Sequence, residues 1–222
     1  MAPPPFLRAV ASGLYEGRMK SAIHAYKYGG LHPIAQPLGR MLAQAIAALA
    51  PEAPSDLLVV PVPLHRSKLA ARGFNQARQL ALHALKSLRK SHPAWKLTLA
   101  STTLMRLRET SSQAGLSPRE RRINVRGAFS VSTPAAVAAR HILLVDDIFT
   151  TGATARAASQ ALLKAGAASV WVATLARARR SNPWASQFLS DFESDANAVE
   201  PNHAQTNLQG SYGTSSHDQP SF

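Results

Sequence analysis

Asp146 and Asp147 stand side by side behind the apolar run ILLV at 142–145, and Thr150, Thr151, Gly152, Ala153 and Thr154 follow after two more apolar residues. Small, hydroxyl-bearing residues at the start of an amphipathic helix suit an anion. The first N–H groups of a helix lack partners and carry partial positive charge, so they hold a phosphate dianion well. Gly152 lets the backbone approach the anion, and three threonine hydroxyls donate further hydrogen bonds. The paired carboxylates would repel that phosphate at contact, but one step away they accept hydrogen bonds from ribose hydroxyls. The chemistry that fits the stretch is recognition of a sugar phosphate, with Asp146 and Asp147 as the candidate catalytic residues. Receiver-type phosphorylation domains also carry an acidic pair, but there it comes early in the chain with no threonine cradle behind it.

A second set of candidates is basic. The apolar LLVV at 57–60 is stopped by Pro61-Val62-Pro63, and the following loop, 64–75, holds His65, Arg66, Lys68 and Arg72. Basic side chains at the C-terminal edge of a strand suit a pyrophosphate, so Arg66, Lys68 and Arg72 are assigned to it. His65 is read as a surface histidine. Further on, Arg106 and Arg108 open a segment rich in Thr, Ser and Gln, including Gln113, with the composition of a mobile loop. Arg119, Arg121, Arg122 and Arg126 form a dense cluster, read as solvated ahead of contacting nucleic acid because no aromatic residues interleave them.

The elements that must position these residues are legible from periodicity. Met19, Ile23 and Tyr26 form one helical stripe, ended by Gly29-Gly30; a second helix is expected over 34–49. Lys27 is taken as a solvated lysine rather than one facing the site. Asn75 caps a helix to about residue 88. Ser117, Pro118 and Glu120 mark another helix start. Strands are expected at 57–60, 96–107, 128–131, 142–145 and 169–175, with Trp171 in the core. Strands alternating with helices imply an α/β domain with a mainly parallel sheet and helices on both faces, in which ligands sit beyond the carboxyl ends of the strands. Residues 1–13 are expected to be flexible, and the polar, acidic segment 182–222 disordered.

VDDIFTTGAT at 145–154 resembles the PRPP-binding motif of type I phosphoribosyltransferases. Three more stretches narrow the resemblance to the ComF/GntX family, the competence-protein-F-like group: Tyr26-Lys27-Tyr28-Gly29, VVPVPLHRSKLAARGFNQA at 59–77, and RLRETSSQAGLSPRERRINVRGAF at 106–129. It covers roughly residues 14–178. The resemblance implies a phosphoribosyltransferase-like domain over 14–181, with 14–55 as a helical hood and 56–181 as the core. It implies transfer of a phosphoribosyl group from PRPP with release of pyrophosphate, and Mg²⁺ carried by the ligand rather than by protein side chains. Arg106, Arg108 and Gln113 take the place of the flexible catalytic loop. The partners implied are PRPP, single-stranded DNA or the DNA-uptake and helicase machinery, and a second copy in a homodimer. A non-enzymatic factor that binds DNA on the same fold is the rival reading. Members of the family usually begin with a four-cysteine zinc module; this chain has no cysteine, so no zinc is expected, and the module is either missing or upstream.

Composition sets the outer bounds. The 222 residues are 45% hydrophobic, enough for one domain with a sizeable core. No apolar run approaches the ~20 residues of a membrane span, no secretory signal is recognisable, and a cytoplasmic location is expected. Net charge is +13, unevenly spread: 182–222 has five acids and no Lys or Arg, leaving +18 on the first 181 residues. Such a body attracts polyanions, whether nucleic acid or a phosphorylated small molecule.

Overall fold

The structure is a computed structural model, and it describes residues 3–29, 32–109 and 117–179. Five strands form one sheet: β1 (Arg8–Leu14), β2 (Asp56–Pro61), β3 (Lys96–Leu99), β6 (His141–Phe149) and β7 (Ser169–Arg177), in the order β1-β7-β6-β2-β3 with every pair parallel. A separate antiparallel hairpin joins β4 (Leu104–Arg106) to β5 (Phe129–Val131). The helices are α1 (Gly17–Tyr28), α2 (Ala35–Ala47), α3 (Arg66–Arg72), α4 (Gln76–Ser91), α5 (Pro118–Val125) and α6 (Ala153–Lys164).

The apolar runs that read as buried strands are buried on both faces, as a parallel sheet between helix layers requires. Alternation sends Leu143 and Val145 to one side, with Trp171, Ala173 and Leu175, where Ile23, Leu42, Ile46, Leu80 and Leu88 of α1, α2 and α4 cover them. Ile142 and Leu144 point to the other side, where Val170, Val172, Phe129 and the α6 residues Ala158 and Leu162 close a second core. Gly39 lets α2 lie against α4: a Cβ there would fall 2.3 Å from that of His83.

Several expectations need correction. Arg8–Leu14, expected to be loose, is an edge strand from Arg8↔Trp171 to Leu14↔Arg177. Its small and polar residues hide the strand period, and pairing with β7 supplies the order. Of the two hood helices, α2 lies in the sheet-covering layer. The basic loop 64–75 contains a helix, α3: His65 Nδ1 accepts from Ser67 N at 3.4 Å, and Gly73 ends it at φ 78°. Residues 96–107 are two strands, because a polar Ser-Thr-Thr stretch turns the chain between β3 and β4. The strand at 142–145 runs on to Phe149, so the acidic pair lies within it.

The topology locates a crevice. From β2 the chain moves outward to β3; from β6 it moves the opposite way to β7. The carboxyl ends of β2 and β6 therefore flank the point where connections diverge, the place where open parallel sheets bind ligands. Pairing of β6 with β2 stops at Pro61↔Val145, whereas pairing with β7 continues to Phe149↔Arg177. Asp146 and Asp147 thus lie where β2 has already left the ladder.

Candidate functional site

Because successive strand residues face opposite sides, the two aspartates meet different surroundings. Asp147 faces α1, and its Oδ2 lies 2.5 Å from Lys27 Nζ, with both side chains largely buried. Asp146 lies in the field of Arg106, and its Oδ1 accepts from the Asp147 backbone N–H at 2.9 Å. Burial pushes both carboxyls up. At Asp147 the charge and hydrogen bond of Lys27 outweigh burial and hold it below the usual carboxylate range. At Asp146 burial and then the Asp147 charge dominate, and its carboxyl is raised well above that range. Lys27 follows the same logic: burial alone would lower its ammonium, but the Asp147 contact raises it. The pair is electrostatically unequal, with the firm charge on Asp147.

The overlooked strand β1 explains how Lys27 arrives. Being parallel to β7, it ends at the carboxyl edge of the sheet and delivers α1 there. Glu16, ahead of α1, pairs with Arg179 at 3.0 Å. Ile23 and Tyr26 anchor the helix; the Tyr26 ring packs 5.3 Å from that of Phe74, and burial, then Asp147, pushes its phenol up. Lys27 comes four residues after buried Ile23, on the same helix face. That spacing is the signal by which the sequence could have assigned it inward.

The turn from β6 to α6 carries Thr150 to Thr154. Gly152 adopts φ 74°, the left-handed region, and α6 has no side-chain cap. The Ala153 N–H leans on Thr151 Oγ1 at 3.4 Å. Phe149 lies beneath this turn, edge-on to Phe6 at 6.1 Å and with the Arg177 guanidinium 5.4 Å from its ring centre.

The basic candidates divide. Lys68 and Arg72 are one turn apart on α3 and half-buried, whereas Arg66 is exposed. Burial, then the charges of Arg106 and Arg72, depress the Lys68 ammonium against the pull of Glu109. Burial also lowers the Arg106 guanidinium, opposed by Asp146, and Arg106 lies over the Phe129 ring at 5.4 Å. Lys68 therefore lies in the fields of both Arg106 and Arg72, and Arg106 in that of Asp146. Arg72 is braced by Gln76 Oε1 at 2.6 Å and by the Tyr28 ring at 5.0 Å.

The segment assigned to the flexible loop begins differently from expectation. Arg106 is on a strand. Arg108 donates to the carbonyls of Asn124 and Arg126 at 3.3 and 2.8 Å, bracing the end of α5. Glu109 accepts from Ser67 Oγ at 2.5 Å and approaches His65 at 4.0 Å, a contact between α3 and the polar segment that sequence reasoning missed. Gln113 lies outside the described residues, as do Gly30, Arg180 and 182–222. Arg119 and Arg126 are exposed around α5, and its capping box is formed: Ser117 Oγ accepts from Glu120 N, and the Glu120 carboxylate from Ser117 N. Among the described residues no group of three or more His, Cys, Asp and Glu is placed to hold a metal ion, and no helix is long and apolar enough to cross a membrane.

The phosphoribosyl transferase domain model matches residues 72–199. The DNA utilization protein YhgH of Escherichia coli K12 is 34% identical over 79% of this chain and 74% of its own length. Competence protein F of Haemophilus influenzae is 30% identical over 79% of the chain and 75% of its own, and competence protein ComFC of Bacillus subtilis 28% over 73% and 61%. A solved glutamine PRPP amidotransferase from B. subtilis overlaps 67% of the chain and 30% of its own at 22% identity and a TM-score of 0.40, too loose to weigh. The parallel sheet, its divergence point and these matches agree: the chain has the type I phosphoribosyltransferase-like α/β fold and belongs to the phosphoribosyl transferase domain family, in its ComF-like branch.

Proposed function

We propose that the crevice between β2 and β6 binds PRPP with Mg²⁺ and transfers its phosphoribosyl group to a nucleophile, in the cytoplasm. The observation that carries this reading is the run of charges from Asp146 to Arg106 and on to Lys68 and Arg72, with the Gly152 turn following the strand that bears Asp146. The turn Thr150 to Thr154 grips the 5′-phosphate, Asp147 and Asp146 take the ribose hydroxyls, and Lys68, Arg72 and Arg106 receive the pyrophosphate; Arg66 stands at its exposed margin. The C1–O bond to pyrophosphate breaks as the nucleophile bonds to C1, and the leaving group carries away the electron pair. The chain contributes positioning, and carboxylate charge close to the developing oxocarbenium ion.

The donor set fits Mg²⁺ held mainly by pyrophosphate and water, since Asp147 is already engaged by Lys27. When bound, the ion neutralises charge on the leaving group. Calorimetric titration with PRPP and Mg²⁺, followed by a screen of nucleobases and amines for pyrophosphate release, tests the reading and identifies the acceptor.

A second reading, binding of single-stranded DNA, is favoured by the +18 charge of the first 181 residues and by the exposed Arg119 and Arg126. The relatives' names, DNA utilization and competence, point the same way. The two readings are compatible on one chain and separable by mutation.

A further inference from the structure

Lys27 lies outside the PRPP-like motif, on a helix that reaches the site only because β1 ends at the same edge of the sheet. We propose that Lys27 is a positioning residue of the sugar site: through its buried ion pair it fixes the Asp147 carboxylate and presents its remaining lone pairs to a ribose hydroxyl. This rests on the reading of the crevice as a phosphoribosyl site.

The geometry gives Lys27 Nζ the Oδ2 oxygen at 2.5 Å, and the Ile148 backbone N–H hydrogen-bonds the same carboxylate. With the Asp146 side chain, which also hydrogen-bonds this carboxylate, three contacts orient a side chain that has about four acceptor positions, so capacity remains for one ligand hydroxyl. Lys27 and Tyr26 face Asp147 from α1, the adjacent Asp146 hydrogen-bonds it along the strand, and Arg106 of β4 acts on Asp146. Lys27 is the cation in contact with Asp147. Its charge keeps Asp147 ionised, and so an acceptor for a ligand hydroxyl, despite burial and the neighbouring Asp146. An ion pair that served only to hold α1 down would leave the pH dependence of ligand binding untouched, and this separates the two roles.

The test uses the whole chain, ribose 5-phosphate as probe, and calorimetry over a series of pH values, since burial raises the Asp147 carboxyl once Lys27 no longer holds it down. The ratio of wild-type to variant affinity cancels the titration of the phosphate itself. Lys27→Met is expected to lose roughly ten- to hundredfold in affinity near neutrality, the worth of one charged hydrogen bond. The loss shrinks as pH rises and Asp147 regains its charge, and Lys27→Arg restores most of the affinity. Lys27→Met/Asp147→Asn leaves no uncompensated charge, which guards against misfolding. It should bind no worse than Asp147→Asn alone, because Lys27 acts through Asp147. Losses that add in the double variant, or a Lys27→Met affinity equal to or above wild type at every pH, overturn the proposal while leaving the phosphoribosyl reading standing. Wild-type protein that binds neither ribose 5-phosphate nor PRPP with Mg²⁺ overturns both.

Discussion

Phe149 leaves no room above its ring for a side chain at Gly152: a Cβ there would stand 2.7 Å from Phe149 Cζ, and the backbone already sits at φ 74°. Two independent constraints thus require glycine at the centre of the turn that would hold the phosphate. Gly152→Ala is expected to cost about 1–3 kcal/mol, the usual range for a non-glycine residue held in the left-handed region. Urea denaturation measures that cost. The same variant should lose ribose 5-phosphate binding in calorimetry, because the turn must open to admit the methyl group.

The unequal pair gives a stability signature. The Asp146 carboxyl is raised in the folded state, first by burial and then by Asp147. Its contribution is therefore fully present below the unfolded pKa, about 3.9 for an aspartate, and is lost as pH rises through the folded value. Asp147, held low by Lys27, has the opposite slope and loses its contribution on acidification through its folded value. Asp146→Asn should accordingly stabilise the protein at neutral pH by roughly 0.5–2 kcal/mol, the usual gain when a functional strain is removed. The gain should fade as pH falls toward 4, while ligand affinity is lost at every pH. Denaturation midpoints at several pH values test this.

The cation cluster makes a prediction about ligand selectivity. Lys68 lies in the field of Arg106, and both are assigned to the pyrophosphate rather than the 5′-phosphate. Lys68→Ala and Arg106→Ala should weaken PRPP and free pyrophosphate by roughly ten- to hundredfold each and leave ribose 5-phosphate nearly unchanged. Arg66→Ala, on the exposed side of α3, should have a smaller effect on all three. Competition calorimetry with the three ligands distinguishes these outcomes.

DNA binding, if carried by α5, is a separate property of the surface. Replacing Arg119 and Arg126 together should lower the dependence of log affinity on log salt by about 1.4 for a single strand, about 0.7 per phosphate contact. Binding of PRPP should not change. A slope that stays the same assigns the basic surface elsewhere on the body.

How far the sequence spoke for itself follows from the kind of signal each residue gave. Buried strands such as 142–145 and 169–175 are continuous apolar runs, and the Asn75 cap, the Ser117 capping box and Gly152 carry local chemistry, so the sheet, two helix starts and the turn into α6 were legible. Arg8–Leu14 was not, because its residues form a strand only through pairing with β7. The helix α3 was hidden by its charges, and its seven residues include no buried one. Lys27 was misjudged because a lone lysine on a helix is usually solvated. Only the sheet edge, reached through β1, shows that its ammonium lies against Asp147. Arg108 illustrates the reverse: its place in a family-like stretch suggested a loop function, and the structure ties it to the end of α5.

The most direct test is titration of the whole chain with PRPP and Mg²⁺, wild type against Asp147→Asn. The account predicts saturable binding by wild type, lost in Asp147→Asn while single-stranded DNA affinity is kept. No heat of binding up to millimolar PRPP, or equal binding by Asp147→Asn, would contradict it.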